Sequence, residues 1–273
     1  MNRYTQMFDR LSTCGEGAFG AFLMLGDPDP STSLALLDAA VAGGADMIEV
    51  GIPFSDPIAD GPVIQAAAVR ALDMGVTPEV CFEILASFRA RHPRIPVGLL
   101  TYANLVLARG RESFYRRCAA AGIDSVLVAD VPAREAEPFA GSAIDHGVDP
   151  VLIAATNTPP ETLRRVAALS RGYVYCVSRA GVTGTDRQME LDHGGLFSTL
   201  AEAGAPPAVL GFGISQPGHV RAGLEAGAAG VISGSAIVRR VAEAREPIEA
   251  VRDFVRTMKA ATQKEVARDR VAV

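Results

Sequence analysis

The sequence is poor in lysine and histidine, two residue types that supply much enzyme chemistry. Its 273 residues include only two lysines, Lys259 and Lys264, and both follow the last predicted strand. No strand can therefore supply the amine for a Schiff base or for pyridoxal phosphate. The four histidines include no two at the spacing of metal ligands, and His146 and His219 are predicted to lie on helix surfaces. What remains is acid–base chemistry by carboxyl groups, with no metal expected.

Cysteine is sparse as well. The four cysteines form no Cys-x-x-Cys pair and have no nearby histidine at ligand spacing, which supports neither a disulfide framework nor a zinc site. All four are predicted to be buried or half-buried. They stand at positions 14, 81, 118 and 176.

Long apolar runs and a strong charge imbalance are also missing. No run approaches the ~20 residues of a membrane span, and the first ten residues lack the apolar stretch of a signal peptide. A net charge of −5 with a pI near 5.5 gives no reason to expect nucleic acid or an anionic membrane as a partner. We therefore expect a cytoplasmic, globular protein.

Eight short apolar segments rich in β-forming residues recur along the chain, each followed by a helical pattern. The predicted strands are residues 20–25, 47–52, 97–102, 125–131, 150–155, 173–178, 208–212 and 230–233. The predicted helices are residues 31–42, 62–74, 78–91, 112–121, 133–146, 159–169, 191–203, 216–226 and 235–242, with an extra N-terminal helix at 5–12 and a C-terminal one at 247–261. Near-continuous apolar strands that alternate with helices indicate a parallel sheet covered on both faces. Eight such units without a composition break predict an α/β protein, a single (β/α)8 barrel domain spanning residues 1–273.

Nucleotide-binding motifs do not appear. Gln216 occupies the place of the third glycine in a G-x-G-x-x-G pattern that would begin at Gly211, and the chain has no G-x-x-x-x-G-K-[ST] sequence. A dinucleotide-binding fold therefore has little support.

The stretch EVGIPFSDPIAD, residues 49–60, holds the most informative residues that are present. Glu49 ends an apolar strand, where a carboxylate costs several kcal/mol unless it is paired or protonated. Asp60 lies on the loop that leaves this strand, so two carboxyl groups with different pKa values are expected to face one ligand. The structural alternatives are that Glu49 is a paired acid and that Asp60 caps the helix beginning near Pro62.

Glycine-rich turns follow the last two predicted strands. In a barrel the active site lies at the carboxyl ends of the strands, and phosphate commonly binds after strands seven and eight. Gly213 and Gly234 allow close approach of backbone N–H groups, and Ser235 opens a helix whose N-terminus favours anions. Glycines needed only for tight turns are the alternative. A phosphorylated small molecule is therefore the expected ligand.

A long polar loop at residues 179–190 follows the sixth predicted strand, which contains Tyr175. Thr183 and Gly184 lie on this loop. Its glycines and low apolar content are typical of a lid over an active site, although an ordinary surface loop has the same composition.

Taken in order, these segments resemble the tryptophan synthase alpha chain family. The similarity runs from about residue 3 to about residue 260, and its specificity comes from the order and spacing of the motifs. They are EVGIPFSDPIADGP (49–62), LGDP (25–28), YAN (102–104), VADVP (128–132), GVTG (181–184), GFGIS (211–215) and GSAIV (234–238). Met24, Thr101 and Ala180 depart from the family pattern, and none of them touches the two acids.

The resemblance implies cleavage of indole-3-glycerol phosphate to indole and glyceraldehyde 3-phosphate, without a cofactor on this chain. It assigns Glu49 to the proton transfers and Asp60 to the indole N–H. It places Tyr175 beside Glu49 and Thr183 on the closing lid. The other implied substrate contacts are Phe22, Leu100, Leu127, Ile153 and Phe212 around the indole, and Gly184, Gly213, Gly234 and Ser235 around the phosphate.

The resemblance also implies a partner, a pyridoxal-phosphate-dependent beta chain in an alpha-beta-beta-alpha complex. Residues 53–57 and the region of Asn104 match the docking face. Two alternatives stay open: a stand-alone lyase that releases free indole, and a non-catalytic partner or activator of a beta chain.

Overall fold

The computed structural model describes residues 2–177 and 194–263, and within these ranges nine parallel strands form one sheet. The strands are β1 (Ala18–Met24), β2 (Met47–Gly51), β3 (Val97–Thr101), β4 (Ser125–Val128), β5 (Asp149–Pro150), β6 (Ile153–Ala155), β7 (Val174–Val177), β8 (Ala208–Leu210) and β9 (Gly230–Ser233). The helices are α1 (Arg3–Cys14), α2 (Pro30–Ala42), α3 (Pro62–Asp73), α4 (Pro78–Arg91), α5 (Ala103–Leu107), α6 (Arg111–Ala120), α7 (Glu137–Asp145), α8 (Pro160–Leu169), α9 (Gly194–Glu202), α10 (Pro217–Glu225), α11 (Ser235–Glu243) and α12 (Pro247–Ala260), with a 3-10 helix at Ala133–Glu135.

The sheet closes into a barrel. Its strand order is β5-β4-β3-β2-β1-β9-β8-β7-β6, and the two end strands are consecutive pieces of one segment, residues 149–155. Val151 N–H donates to the Val126 carbonyl at 2.9 Å, and Tyr175 N–H donates to the Leu152 carbonyl at 3.0 Å, so this segment joins both edges. The predicted (β/α)8 barrel is confirmed. The predicted continuous fifth strand is wrong, because its first half pairs with β4 and its second half with β7.

Local sequence signals set most helix ends. Asp29 accepts hydrogen bonds from Ser31 N–H and Thr32 N–H at the start of α2, as is usual for an N-cap residue. Gly15 ends α1 in the left-handed conformation, with φ +66°. Because these signals are local, the observed helices begin and end close to the predicted positions.

Two helical predictions need correction. The single helix predicted at residues 133–146 is a 3-10 helix followed by α7, because Pro138 lacks an N–H and is accommodated only in the first turn of a helix. Helix α5 was not predicted at all. It has only five residues, and Asp130 from the next loop accepts a hydrogen bond from Ala103 N–H at 2.8 Å.

Helix α1 covers the end of the barrel where the strands begin. Tyr4 is fully buried, its ring lies 5.2 Å from that of Tyr173, and its hydroxyl is 2.8 Å from Ser125 Oγ. Arg3 and Arg10 form salt bridges of 2.7 and 2.8 Å with Asp124 and Asp46, which directly precede β4 and β2. The opposite end of the barrel is thereby left for a site.

The cysteines follow the prediction with one exception. Cys81, Cys118 and Cys176 are buried, whereas Cys14, at the end of α1, is exposed. Within the described ranges no helix is long and apolar enough to cross a membrane.

Candidate active site

A narrow cavity inside the barrel, toward the carboxyl ends of the strands, brings together most of the predicted site residues. Both acids border it. Its lining consists of Phe22, Glu49, Asp60, Ile64, Leu100, Tyr175, Phe212, Ile232, Gly234 and Ser235. Residues from five strands and from the connections after β2, β8 and β9 therefore converge on one space, as in other barrel enzymes.

Glu49 lies in the middle of β2 and is 1% exposed. Its Oε1 accepts a hydrogen bond from the Tyr173 hydroxyl at 3.1 Å. Burial raises the pKa of Glu49 to about 8; the Tyr173 hydrogen bond opposes this rise, and the nearby Asp60 charge adds to it. Within the described ranges Glu49 forms no salt bridge, so the alternative of a paired structural acid is not supported.

Asp60 is also buried, and its environment differs from that of Glu49. Burial raises its pKa to about 6, and the Tyr102 hydroxyl opposes the rise. Helix α3 begins at Pro62 with Gly61 as its N-cap residue and without a side-chain capping bond. Asp60 is therefore not a capping residue, and its side chain is directed to the cavity.

Two tyrosines for which the sequence predicted no role adjoin the acids. Tyr173 precedes β7 at the lower end of the barrel and reaches Glu49 from below. Tyr102 directly follows β3, and its ring stacks on that of Phe54 at a centroid distance of 5.3 Å. Its buried hydroxyl forms no hydrogen bond of normal geometry within the described residues, although it lies close enough to Asp60 to influence that pKa. Tyr173 lies two residues before Tyr175, so both side chains point to the same face of the strand. This spacing was the sequence signal that could have identified Tyr173.

Only some of the predicted apolar contacts border the cavity. Phe22, Leu100 and Tyr175 border the cavity, while Leu127 is buried in the same barrel interior without reaching it. Ile153 is 37% exposed and borders a separate cavity of about 330 Å³ beside β4 and α7.

That larger cavity is lined mostly by apolar side chains, with Asp130 as its charged group. It contains neither Glu49 nor Asp60. The two acids therefore lie at the smaller cavity, even though the other one is roomier.

Only some of the residues predicted to surround the phosphate border the cavity. Gly234 and Ser235, at the start of α11, border the cavity, as does Phe212. Gly213 is in the adjacent turn, with φ +74°, and does not border it. The predictions for Thr183 and Gly184 lie outside the described residues.

Two further lining residues, Ile64 and Ile232, were missed. Ile232 is on β9, and Gly234 directly follows that strand. Because side chains along a strand repeat with a period of two, the two residues lie on the same face. Ile64 is in the first turn of α3, four residues after Asp60. In residues 2–177 and 194–263 no cluster of three or more His, Cys, Asp or Glu side chains could hold a metal ion.

The fold and the cavity together define a (β/α)8-barrel enzyme whose ionisable groups are carboxyls. Comparison with known families makes this specific: the family described as "Tryptophan synthase alpha chain" matches residues 8–267. The chain belongs to the tryptophan synthase alpha chain family.

Individual relatives agree with this assignment. The chain is 53% identical to the tryptophan synthase alpha chain of Aeromonas hydrophila over 268 residues, covering 97% of this chain and 100% of the relative. It is 52% identical to that of Yersinia pseudotuberculosis over 267 residues, covering 96% and 100%.

Solved structures agree too. A tryptophan synthase structure from Mycobacterium tuberculosis superposes with a TM-score of 0.87 at 30% identity, covering 96% of this chain and 99% of that one. The alpha subunit from Legionella pneumophila gives 0.85 at 29% identity, covering 96% and 98%.

As a member of this family the chain is a lyase that catalyses the indole-3-glycerol phosphate lyase reaction in tryptophan biosynthesis. The alpha chain of this family carries no cofactor.

Proposed function

We propose that Glu49 transfers the protons in the cleavage of indole-3-glycerol phosphate to indole and glyceraldehyde 3-phosphate, and that Asp60 stabilises the charged indole. The supporting observation is one cavity with two differently perturbed acids. With a pKa of about 8, Glu49 holds its proton at pH 7, while Asp60, with a pKa of about 6, is mostly ionised. An acid and an anion thus face one ligand, the arrangement that divides roles between two carboxyl groups.

The steps balance without any further reagent. The Glu49 carboxylic acid gives its proton to the indole ring carbon that carries the side chain, and positive charge develops at the ring nitrogen. The Asp60 carboxylate accepts a hydrogen bond from the indole N–H and stabilises that charge. The Glu49 carboxylate then removes the proton of the adjacent side-chain hydroxyl while the carbon–carbon bond breaks. Indole and an aldehyde leave, and Glu49 is again protonated.

The lining suits the two ends of this substrate. Phe22, Leu100 and Tyr175 offer an apolar slot for the indole ring. Gly234 and Ser235 place backbone N–H groups of the first turn of α11 at the other end, where an anion is favoured. Phe212 and Gly213 complete that end in our proposal, as do Thr183 and Gly184. Leu127 and Ile153 remain predicted ring contacts.

We further propose that the partner is a pyridoxal-phosphate-dependent beta chain that receives the indole. The solved neighbours include tryptophan synthase complexes. Two exposed apolar residues lie on elements next to site residues: Ile58, on the loop that leads to Asp60, is 71% exposed, and Leu107, on α5, which follows Tyr102, is 48% exposed. Phe54 of the same loop stacks on Tyr102, which directly precedes α5. Single exposed apolar residues are common on protein surfaces, so the proposed docking face rests on the resemblance of residues 53–57 and the Asn104 region to that of the family, and these two side chains lie beside those residues.

Indole release from indole-3-glycerol phosphate, measured for the purified chain alone and with a beta chain, tests this function. We expect weak release by the chain alone and strong stimulation by the beta chain. Fast release that ignores the beta chain would identify a free-indole lyase. Absence of release in every mixture would contradict the catalytic role and favour a non-catalytic partner.

The docking face has its own test within that assay. Ile58→Asp should reduce stimulation by the beta chain about tenfold or more, because a charge at an apolar contact is costly to bury. Activity without the beta chain should stay near the wild-type value. Met74→Asp is the matched control, since Met74 is similarly exposed but lies at the far end of α3. Equal loss of stimulation in both variants would contradict the assigned face.

A further inference from the structure

The turn between β8 and α10, residues 211–215, has an unusual backbone. Phe212 has φ +72° and Gly213 has φ +74°, so two consecutive residues adopt the left-handed conformation. For a residue other than glycine this conformation costs of order 1–3 kcal/mol and persists only where the surroundings enforce it. Neighbouring groups must therefore hold this turn in place.

Two side chains hold the carbonyl groups of the turn. His219 Nδ1 lies 2.7 Å from the Gly213 carbonyl oxygen, and the Ser233 hydroxyl donates to the Ile214 carbonyl at 2.6 Å. A carbonyl oxygen only accepts, so Nδ1 carries the hydrogen in the short contact. Ser215 N–H and Oγ also face Nδ1, at 3.3 and 3.4 Å. The protonated nitrogen can donate to that hydroxyl oxygen but cannot accept from the N–H.

Fixing the Gly213 carbonyl fixes the next N–H as well. In a trans peptide the C=O and the following N–H point in opposite directions. With the Gly213 carbonyl turned to His219, the Ile214 N–H points away from His219, and no acceptor for it occurs within the described residues. Gly234 and Ser235, on the neighbouring β9–α11 connection, border the cavity. The β8–α10 turn, through Phe212, and the β9–α11 connection therefore border the same cavity.

The sequence position of His219 explains how a helix residue reaches this turn. Gln216 is the N-cap of α10, so His219 is its third helical residue. This is the position from which a polar side chain reaches back to the backbone before a helix. His219 is therefore more than the helix-surface residue that its surroundings in the sequence predicted.

We propose that His219 is a positioning residue for the substrate phosphate, which it serves by holding the Gly213–Ile214 peptide in its binding orientation. This inference rests on the proposed phosphate end of the cavity. His219 does not touch the reacting atoms. Its loss should weaken phosphate binding and leave the proton transfers at Glu49 intact.

Three variants test the proposal: His219→Ala, His219→Gln and His146→Ala. Glutamine keeps a donor for the Gly213 carbonyl. His146 is the matched control, because its Nδ1 makes an equivalent contact of 2.8 Å to the Ser142 carbonyl on α7, outside the cavity lining. For each variant we would measure KM and kcat with indole-3-glycerol phosphate, and binding of glycerol 3-phosphate and of indole by calorimetry.

His219→Ala should raise KM and weaken glycerol 3-phosphate binding about tenfold, the effect of one lost hydrogen bond. Its kcat should stay within about twofold of wild type, because a loss of binding that is equal in the ground state and the transition state changes KM alone. Its indole affinity should also stay within about twofold, because indole carries no phosphate. His219→Gln should recover most of the loss, and His146→Ala should behave as wild type.

Equal loss of glycerol 3-phosphate and indole affinity in His219→Ala would overturn the proposal, since it would indicate a general structural role. If the wild-type enzyme is active and His219→Ala has an unchanged KM, the proposal is overturned as well. Wild-type enzyme that neither cleaves the substrate nor binds glycerol 3-phosphate would instead overturn the proposed function, and this inference with it.

Discussion

Glu49 and Asp60 show how two residues of similar chemistry acquire different properties from their positions. Glu49 is on a central strand, enclosed by the barrel and satisfied by one neutral hydroxyl, so its charged form is strongly disfavoured. Asp60 is on a loop, where burial is less complete and the Tyr102 hydroxyl favours its charged form. The strand position of Glu49 therefore favours its protonated form, whereas the loop position of Asp60 favours its ionised form.

Tyr102 gives this residue-scale account a specific prediction. Tyr102→Phe removes the hydroxyl that favours ionised Asp60, so the pKa of Asp60 should rise further. Because the contact lacks normal hydrogen-bond geometry, its loss should cost at most about 1 kcal/mol and move the acidic limb of the pH dependence of kcat/KM upward by at most roughly 0.7 pH unit. The assay is indole release between pH 5 and pH 9.

Tyr115→Phe is the control for this prediction, because Tyr115 is a buried tyrosine on α6 that borders the other cavity. Its pH profile should match that of the wild type. An unchanged acidic limb in Tyr102→Phe would contradict the role given to the hydroxyl.

Among the elements, α1 matters most for the barrel interior. It places Tyr4 against Tyr173, and Tyr173 in turn donates to Glu49. A Cβ atom added at Gly98 would lie 3.0–3.3 Å from the hydroxyl oxygens of Ser125, Tyr4 and Tyr173. Glycine at this position thus leaves room for three hydroxyls beneath Glu49.

Tyr4→Ala should lower the free energy of unfolding by about 3–5 kcal/mol, because it empties a fully buried aromatic site. Urea unfolding at pH 7 measures the change. Tyr4→Phe, which keeps the ring, should cost only about 1–2 kcal/mol through the lost contact with Ser125. Similar small losses in both variants would mean that α1 does not stabilise the barrel.

Elements with a strong local signal were predictable from sequence, and elements defined by distant contacts were not. The alternation of apolar strands with helical segments predicted the barrel and most helix positions. Helix α5 depends on Asp130, 27 residues from Ala103, which no local pattern reveals. The break in residues 149–155 arises because one segment pairs with two diverging strands.

The site divides in the same way. Glu49 and Asp60 were predictable, because an acid within an apolar strand, and a second acid on the loop that follows it, need a reason to be there. Tyr102 and His219 were not, since their importance comes from a single atom in contact with a loop. Ile153 shows the opposite limit: family resemblance names it, yet its side chain borders a different cavity.

For the whole molecule, the site lowers stability in a pH-dependent way. Glu49 has a pKa of about 8 in the folded chain, against an ordinary value of 4.5. Between these values the folded chain keeps a proton that the unfolded chain releases, so stability falls as pH rises through this window. Glu49→Gln does not ionise and escapes this loss. At pH 9 it should therefore be at least as stable as wild type, which separates an effect on chemistry from a folding defect.

The most direct test of the central claim is indole release by Glu49→Gln beside Asp149→Asn. Asp149 is the matched control: burial also raises its pKa to about 6, but it lies at the other end of the barrel, where Asn2 donates to it at 2.7 Å. We predict that Glu49→Gln loses at least about 10²–10⁴-fold in kcat, while Asp149→Asn stays within about threefold of wild type. A Glu49→Gln enzyme that retains more than a tenth of wild-type kcat would contradict the account.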